Sequence, residues 1–359
     1  MRVFIDGGAG YVGSALVPAL LRDRHEVIVY DTFWFGDHLP KNVCLYRAED
    51  DIRDVAGIKA ALTTWGQVDA VIHLACLSND PSSEIDKDLT RAINLDAFEP
   101  LVRAAREAGV RRFINCSTSS VYGISDAPNV TEDHPHVPLT LYNTYKSQCE
   151  EIFRQFYSPE FECITIRPST VCGYAPRQRL DLAVNILTNQ AVNRGKITVF
   201  GGAQMRPNLH IMDMVRCYRA LLEAPADKVA GQTFNVGAGN LSIADLALVV
   251  RDTVRACGGR TVNIETKPVF DERSYAVNSD KIANMLGFRP GHSVGDAVAD
   301  LYYAFTSGLL PEPMERAEYY NVRRMKEVFS DLYKDAPPSQ FDPMQGHLSE
   351  IDVFHRGAK

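Results

Sequence analysis

The sequence predicts an α/β protein whose core is a doubly wound parallel sheet. Short apolar runs, typical of buried strands, alternate with amphipathic segments typical of helices as far as Arg167. A glycine-rich turn follows the first apolar run directly. Beyond Arg167 the alternation becomes less regular, which indicates a smaller α/β region that covers the carboxyl edge of the sheet.

The order of the predicted elements divides the chain into three parts. The main sheet takes its strands from residues 3–5, 27–30, 45–46, 70–74, 112–116 and 163–167, with helices predicted over 14–22, 55–65 and 92–108. We expect residues 1–170 to form one domain, to which residues 211–240 return. Residues 171–308 are expected to form the smaller region, with helices over 180–193, 212–223, 243–257 and 279–286 and strands over 197–200, 233–236 and 262–266. Residues 309–359 make a C-terminal extension of unknown role, with a helix-like segment over 314–333.

Composition and charge disfavour several classes of protein. The formal net charge of −7 argues against nucleic acid and anionic membrane surfaces as partners. The chain has no apolar run of about twenty residues and enters a strand without a secretion signal, so we expect a cytoplasmic protein. Its 8 cysteines form no CxxC pair and no paired histidine spacing accompanies them, so no metal site is predicted.

The turn after the first strand has the glycine spacing of a dinucleotide-binding loop. Gly7, Gly10 and Gly13 allow a tight turn, close approach of the backbone to a diphosphate, and close packing of the next helix. The first turn of that helix offers free N–H groups to the phosphates. Asp31 ends the second strand, where a carboxylate accepts hydrogen bonds from the adenosine ribose and repels a 2′-phosphate. The motif therefore predicts NAD, rather than NADP, bound to the first domain.

A tyrosine, a lysine and a threonine are the candidate catalytic residues. Tyr142 and Lys146 lie four residues apart in a segment with a helical pattern, so their side chains share one face. A lysine ammonium, together with oxidised nicotinamide, favours a phenolate and lowers the pKa of the tyrosine, which then becomes a general base. Thr118 belongs to a run of hydroxyl residues after strand 112–116, where such sheets bind ligands, and its hydroxyl can bond the substrate oxygen that the tyrosine deprotonates.

These motifs and several others resemble the extended short-chain dehydrogenase/reductases, in the branch of NAD-dependent sugar-nucleotide epimerases and dehydratases. The other matching segments are Asp51-Ile52, His73-Leu74-Ala75, Asn94, 167–173, 206–213, 234–237, 271–275, 279–281 and 286–288. The resemblance extends over residues 1–305 and implies a Rossmann fold with a smaller C-terminal α/β region that binds the substrate. The extension after residue 308 lies beyond it.

The resemblance implies a role for each matching residue. Tyr142 is the expected base, Lys146 the group that binds the ribose and lowers the tyrosine pKa, and Thr118 the hydroxyl partner. The residues expected to bind NAD are Gly7, Gly10, Tyr11, Val12, Gly13, Asp31, Thr32, Asp51, Ile52, Leu74, Ala75, Cys76, Asn94, Ser117, Tyr142, Lys146 and Pro168. The residues expected to bind a nucleoside-diphosphate sugar are Thr118, Ser119, Asn185, Arg206 and Arg273. The family also implies a homodimer that pairs helices 92–108 and 142–156.

The hydroxyl run favours one reaction of the family over its alternatives. The 4,6-dehydratases carry Thr-Asp-Glu there and related decarboxylases a glutamate, whereas this chain has Thr118-Ser119-Ser120. Serine hydroxyls are too weakly acidic to replace an Asp–Glu acid/base pair. We therefore expect a 4-epimerase that oxidises C4 of the sugar transiently and returns the hydride. A net 4-dehydrogenase or reductase, a dehydratase, and a non-catalytic NAD-binding scaffold remain as alternatives.

Asp6 departs from the family pattern, which usually has a small hydroxyl residue before the first glycine. A carboxylate beside the cofactor diphosphate would oppose binding unless it is hydrogen-bonded or turned away. His73, at a strand end, is expected to bond to the backbone. Cys76 and Cys172 lie in segments expected near the cofactor and the sugar, and we expect small packing residues there rather than acid/base groups.

Overall fold

The computed structural model describes residues 1–125, 127–268 and 274–332, and it confirms the predicted α/β fold class. The strands are β1 (Arg2–Asp6), β2 (Glu26–Asp31), β3 (Leu45–Glu49), β4 (Ala70–His73), β5 (Arg112–Cys116), β6 (Glu162–Pro168), β7 (Thr170–Cys172), β8 (Lys196–Phe200), β9 (Met205–His210), β10 (Thr233–Val236), β11 (Gly239–Ser242) and β12 (Asn263–Lys267). Most of the connections between strands are helical, as the alternating pattern predicts.

The helices vary from single turns to fourteen residues. They are α1 (Tyr11–Arg22), α2 (Val55–Thr64), α3 (Asp80–Ser83), α4 (Lys87–Arg91), α5 (Phe98–Glu107), α6 (Leu141–Arg154), α7 (Ala183–Arg194), α8 (Ile211–Glu223), α9 (Ala226–Val229), α10 (Ile243–Ala256), α11 (Asp280–Leu286), α12 (Val294–Thr306) and α13 (Asn321–Leu332). A π-helical turn spans Ala92–Asp96, and 3₁₀ turns span Ser119–Tyr122 and Ala317–Tyr319. None of the helices in the described ranges is long and apolar enough to cross a lipid bilayer.

The main sheet has the strand order β10-β6-β5-β4-β1-β2-β3, and each described pairing in it is parallel. β1 lies beside both β2 and β4, so the order of the strands reverses between β1 and β4. A crevice opens at such a reversal because the following connections leave to opposite faces, and ligands bind at the carboxyl ends there. β10 pairs with β6, so the chain returns to this sheet after visiting the smaller region.

The smaller region covers one side of that carboxyl edge. It contains a sheet in the order β11-β9-β7 and a parallel pair, β12-β8. Three helices, α7, α10 and α12, pack on one another around an apolar cluster that includes Val184, Val250 and Val298. The strands β7, β9 and β11 are too short or too polar to stand out in the sequence.

Side chains of the main sheet alternate between two cores, one on each face. Val3 and Ile5 of β1 belong to the cluster under α1 and α8, whereas Phe4 belongs to the cluster under α2, α5 and α6. Met325 and Phe329 of α13 lie in this second cluster, so the C-terminal extension packs on the main sheet. Within the predicted segment 314–333 the α-helix begins at Asn321, and Tyr333 lies outside the described residues.

A buried ion pair joins α6 to the carboxyl ends of β5 and β6. Glu150 and Arg167 each have 1% of the side chain exposed. The Arg167 guanidinium donates to Glu150 Oε2 at 2.7 Å and to Oε1 at 2.9 Å, and Ser117 Oγ donates to Oε1 at 2.5 Å. Because neither charge reaches water, each needs the other as its partner.

We predict that Glu150→Ala lowers the free energy of unfolding by about 3–5 kcal/mol, because it leaves the Arg167 charge buried without a counterion. Urea unfolding followed by circular dichroism measures this. The matched control is Glu84→Ala, which breaks the exposed Glu84–Lys87 pair between α3 and α4 and is expected to cost no more than about 1 kcal/mol. Equal losses in the two variants would contradict the prediction.

Candidate active site

A cavity lies at the carboxyl edge of the main sheet, at the switch between β1 and β4. Among the residues predicted to bind NAD, those that line it are Gly7, Gly10, Tyr11, Val12, Gly13, Asp31, Thr32, Asp51, Ile52, Leu74, Ala75, Cys76, Ser117, Tyr142, Lys146 and Pro168. Thr118 and Ser119 line the same cavity. Residues from seven separate segments of the sequence therefore converge where the glycine motif predicts.

The glycine turn has no space for side chains at its first and last glycines. Gly7 has a φ of +67°, and a Cβ there would lie 2.5 Å from the amide nitrogen of Ala75. A Cβ on Gly13 would lie 2.2 Å from the carbonyl oxygen of Gly8, so α1 packs directly on the turn. Gly10 precedes α1 without a side-chain cap. The N–H groups of the first helical turn are thus left for another acceptor, an arrangement that suits a diphosphate.

Asp31 is held by the backbone on both sides. Its Oδ2 accepts from the amide of Ala9 at 2.9 Å, and its Oδ1 accepts from the amide of Phe33 at 2.9 Å. Burial raises the pKa of Asp31, while the two amides and the Arg177 charge oppose the rise. Each carboxylate oxygen has a further lone pair, so Asp31 still has acceptor capacity for ribose hydroxyls.

Asp6 is fully buried and is not among the residues that line the cavity. Its Oδ1 accepts from the amides of Leu74 and Ala75 at 3.1 and 2.8 Å and bonds to His73 Nδ1 at 2.7 Å. The carboxylate therefore points to the loop after β4 rather than into the cavity. From the sequence we expected His73 to bond to the backbone, but it bonds to the Asp6 side chain instead. The reason is that β1 and β4 pair Asp6 with His73 in register.

The three candidate catalytic residues come from β5 and α6. Thr140 caps α6 by accepting from the amide of Asn143 at 3.3 Å, which fixes the helix start two residues before Tyr142. Lys146 is buried, and its Nζ donates to the carbonyl of Cys116 at the end of β5 at 2.8 Å. Thr118 lies two residues beyond Cys116, and its Oγ1 accepts from the amide of Ser120 at 3.1 Å. Tyr142, Lys146 and Thr118 all line the first cavity.

The protein's own groups favour the neutral form of Tyr142. Burial raises the pKa of its phenol well above the usual value, Cys76, Cys116 and Asp80 add to the rise, and Arg179 opposes it. The lowering of this pKa that we expected from Lys146 is not among the main effects on the phenol. A phenol in this position holds its proton firmly unless a further positive charge lies beside it.

Two residues predicted to bind ligands do not line either cavity, and they hold neighbouring segments of the chain in place instead. Asn94, in the π-helical turn, accepts from the amide of Leu77 at 2.8 Å and donates to its carbonyl at 3.0 Å, which holds the loop after β4. Asn185, on α7, accepts from the amide of Gly173 and donates to Tyr11 Oη and to the carbonyl of Arg179. Both amides use their donors and acceptors within the protein.

A second cavity adjoins the first on the side of the smaller region. The two cavities share the lining residues Asn79, Asp80, Ser120, Thr170 and Leu182. Arg206, predicted to bind substrate, lines the second cavity. Arg273 lies outside the described residues. Tyr275, from the same segment of the sequence, places its Oη 3.2 Å from Ser120 Oγ.

Several residues that line the first cavity were not predicted from the sequence. Those that bear most on ligand binding are Arg177, Arg179, Asn321 and Met325. Arg179 is paired with Asp181 through its Nε and a second nitrogen, at 2.9 and 3.1 Å. The sequence weakly indicated a binding role for Arg177, because guanidinium groups suit phosphate oxygens. It gave no indication of one for Asn321 or Met325, since both lie beyond the segment that resembles the family.

Among the described residues, neither the cysteines nor the other potential metal ligands form a further site. Burial raises the pKa of Cys172 to about 12, and its side chain packs away from both cavities, whereas Cys76 lines the first cavity. Across the described ranges, no cluster of three or more His, Cys, Asp or Glu residues could hold a metal ion. The donor groups present are those that a nucleotide needs: backbone amides, hydroxyls and guanidinium groups.

Comparison with known proteins identifies the family. Residues 3–237 match the model of the NAD dependent epimerase/dehydratase family. An uncharacterized UDP-glucose epimerase of Bacillus subtilis is 29% identical over 315 residues, which cover 84% of this chain and 96% of that protein. A UDP-glucose 4-epimerase of Mycolicibacterium smegmatis is 28% identical over 320 residues, with 83% and 96% covered. A dTDP-glucose 4,6-dehydratase of Streptomyces griseus is 28% identical over 309 residues, with 83% and 92% covered.

Solved structures give the same result and name the cofactor. The dTDP-glucose 4,6-dehydratase DesIV from Streptomyces venezuelae, solved with NAD and TYD, has a TM-score of 0.76 at 25% identity and covers 88% of this chain and 100% of its own. MoeE5, solved with UDP-glucuronic acid and NAD, has a TM-score of 0.73 at 25% identity, with 86% and 100% covered. NAD is the cofactor of these enzymes, and the glycine turn, the uncapped α1 and Asp31 fit it. The chain belongs to the NAD-dependent epimerase/dehydratase family, whose members act on nucleotide sugars.

Proposed function

We propose that this chain is an NAD-dependent nucleotide-sugar 4-epimerase. The observation that carries the proposal is the composition of the cavity wall around Tyr142. Thr118, Tyr142 and Lys146 supply a hydroxyl, a phenol and an ammonium, and the residues after Thr118 are Ser119 and Ser120. Epimerisation at C4 needs one group that removes and returns a proton, whereas dehydration also needs an acid and a base at C5 and C6.

Each residue has a distinct task in this reaction. Tyr142 removes the proton from the C4 hydroxyl, and Thr118 donates a hydrogen bond to the same sugar oxygen. Lys146, held by the carbonyl of Cys116, binds the ribose of the cofactor and adds positive charge. NAD, when bound, supplies the hydride acceptor and a positive ring that favours the phenolate. Because burial favours the neutral phenol, Tyr142 readily returns its proton when the C4 ketone is reduced from its other face.

The carboxylates on the described walls support epimerisation over dehydration. Asp31 ends β2, and Asp50 and Asp51 follow β3, where the adenosine half of the cofactor is expected. Asp181 is paired with Arg179. Asp80 lines both cavities, and its Oδ1 accepts from the Thr140 hydroxyl at 2.6 Å, so it serves the start of α6. We assign it an electrostatic effect on Tyr142 and no proton transfer.

The second cavity suits the nucleoside-diphosphate part of the substrate. It adjoins the catalytic wall through Ser120 and Thr170, and Arg206 supplies a guanidinium group. Guanidinium groups bind phosphate oxygens with paired hydrogen bonds. The relatives solved with UDP-glucuronic acid and UDP-glucose indicate uridine nucleotides as the first substrates to test.

The proposal predicts isomerisation without net redox change. Purified enzyme given UDP-glucose, UDP-glucuronic acid and dTDP-glucose is expected to convert one of them to its C4 epimer, measured by NMR, with no accumulation of NADH at 340 nm. Stoichiometric NADH would indicate a net dehydrogenase, and a 4-keto-6-deoxy product would indicate a dehydratase. A protein that binds NAD and turns over none of the three would favour the non-catalytic scaffold.

Tyr142→Phe is expected to lower kcat at least about 100-fold, because it removes the proton-transfer group. Bound NAD, measured after acid release, should remain. Tyr145→Phe is the matched control: it makes the same change one turn along the face of α6 and outside both cavities, and its turnover should equal that of the wild type. Full turnover by Tyr142→Phe would rule out the assignment of the base.

The pH dependence of kcat/KM tests how the charges near Tyr142 affect its pKa. Asp80 raises the pKa of Tyr142 and Arg179 lowers it. Activity rises with pH as the base loses its proton, so Asp80→Asn is expected to move the acid limb of kcat/KM to lower pH, and Arg179→Gln to higher pH. Shifts of the opposite sign would contradict the placement. Complete loss of turnover in Asp80→Asn would make Asp80 a proton-transfer group and would favour a dehydratase.

We also propose the homodimer, formed by the outer faces of α5 and α6. The groove between these helices is lined by Leu95, Pro100 and Ile152 together with charged residues. Gln148 is exposed and also lines this groove. Gln148→Trp is expected to give the monomer mass in light scattering, whereas Leu248→Trp on the exposed side of α10 should leave the dimer intact. A monomeric wild type would contradict the proposal.

A further inference from the structure

The described part of the C-terminal extension docks firmly on the main domain. Met325, Val328 and Phe329 of α13 are buried, with at most 6% of each residue exposed. They pack in the cluster that also holds the loop after β2 and the helices after β4. These two connections leave the sheet on either side of the switch between β1 and β4. α13 therefore bridges the loops that border the crevice.

The first turn of α13 lies between the two cavities. Asn321 and Met325 line the first cavity, which the glycine turn also lines. Tyr320 and Val322 line the second cavity, as Arg206 does. Neighbouring residues thus contribute to different walls. A segment beyond residues 3–237, the range matched by the family model, forms part of the active-site surface.

Asn321 ties three parts of the chain together. Its Nδ2 donates to Ser78 Oγ at 3.0 Å, in the loop after β4. Its backbone amide donates to Asp181 Oδ2 at 3.1 Å, and its Oδ1 accepts from the Arg177 guanidinium at 2.8 Å. Asn321 is 4% exposed, so these bonds are sheltered from water. Undocking of α13 would break all three.

Arg177 is a buried cation with an incomplete set of partners. The residue is 3% exposed, and its guanidinium lies 3.8 Å from the centre of the Phe35 ring. Its Nε is buried and has no hydrogen-bond partner. No described carboxylate forms an ion pair with it, in contrast to Arg179 beside it. A guanidinium withdrawn from water in this way calls for an anion.

The position of Arg177 indicates which anion this is. Its amide donates to Ser14 Oγ at 3.1 Å, in the first turns of α1. Its side chain lines the first cavity with Gly10 and Tyr11, at the uncapped end of that helix. It is absent from the walls of the second cavity. A diphosphate bound at the N-terminus of α1 would therefore have Arg177 on its open side.

We propose that Arg177 and α13 complete the NAD site from outside: Arg177 binds the cofactor diphosphate opposite the glycine turn, Asn321 positions Arg177, and docked α13 retains the cofactor through catalysis. The proposal depends on NAD as the cofactor and not on which reaction follows. Retention would favour a reaction without net redox change, because a retained cofactor must give its hydride back to the sugar before it can act again.

The rate of NAD exchange tests the proposal without any sugar substrate. Full-length protein loaded with NAD is mixed with excess isotopically labelled NAD, and the bound fraction is followed by mass spectrometry after rapid desalting. Arg177→Met removes the charge at similar length and is expected to speed release about 10-fold or more, the effect of one hydrogen bond to a charged group. Arg177→Lys should recover part of the retention, and the rate for Arg177→Met should depend less on salt than that of the wild type.

The variants on α13 separate positioning from general stability. Asn321→Ala and Phe329→Ala are expected to speed release, whereas Ser330→Ala, on the exposed side of the same helix, should release NAD at the wild-type rate. Melting temperatures are measured for all the variants. If Arg177→Met and Asn321→Ala exchange NAD at the wild-type rate, the proposal is overturned, whatever their melting temperatures. If release by Arg177→Lys equals that by Arg177→Met, the role of the charge is overturned.

Discussion

The buried carboxylate of Glu150 fixes the relative positions of the elements that carry the proposed catalytic residues. It receives Ser117 from the end of β5 and Arg167 from the end of β6, and it lies one helical turn beyond Lys146 on α6. Thr118 follows Ser117, and Pro168 follows Arg167. The cavity lining that contains these residues is therefore built around one ion pair that water cannot reach. Loss of either charge would disturb three elements at once, since no other described carboxylate bonds to Arg167.

The local electrostatics of the site oppose the overall charge of the protein. The chain carries a net charge of −7, yet Lys146, Arg177 and Arg179 line one cavity and are buried. Fields at close range depend on the nearest groups and on the low dielectric around them, so net charge indicates little about a cleft. The negative total disfavours polyanionic surfaces as partners. It is fully compatible with a bound dinucleotide.

The sequence was sufficient for the features that local patterns encode. The strand and helix alternation, the glycine turn and the Tyr142–Lys146 spacing each depend on residues close together in the chain, and the structure has all three. The roles of Asp6, Asn94 and Asn185 could not be read in this way, because their partners come from other elements. Arg177 and Asn321 are 144 residues apart and meet only in the folded protein. No periodicity reports such a pairing.

The position of α13 in the second core also constrains how the chain folds. Phe4, near the start of the sequence, and Phe329, near the end of the described residues, belong to the same apolar cluster. Contacts between such distant segments form late, because the intervening chain must be ordered first. During synthesis, the part of this core that α13 covers stays exposed until the ribosome has released that helix. The main sheet therefore emerges with an unfinished core, whose last apolar side chains are added only when α13 has been made.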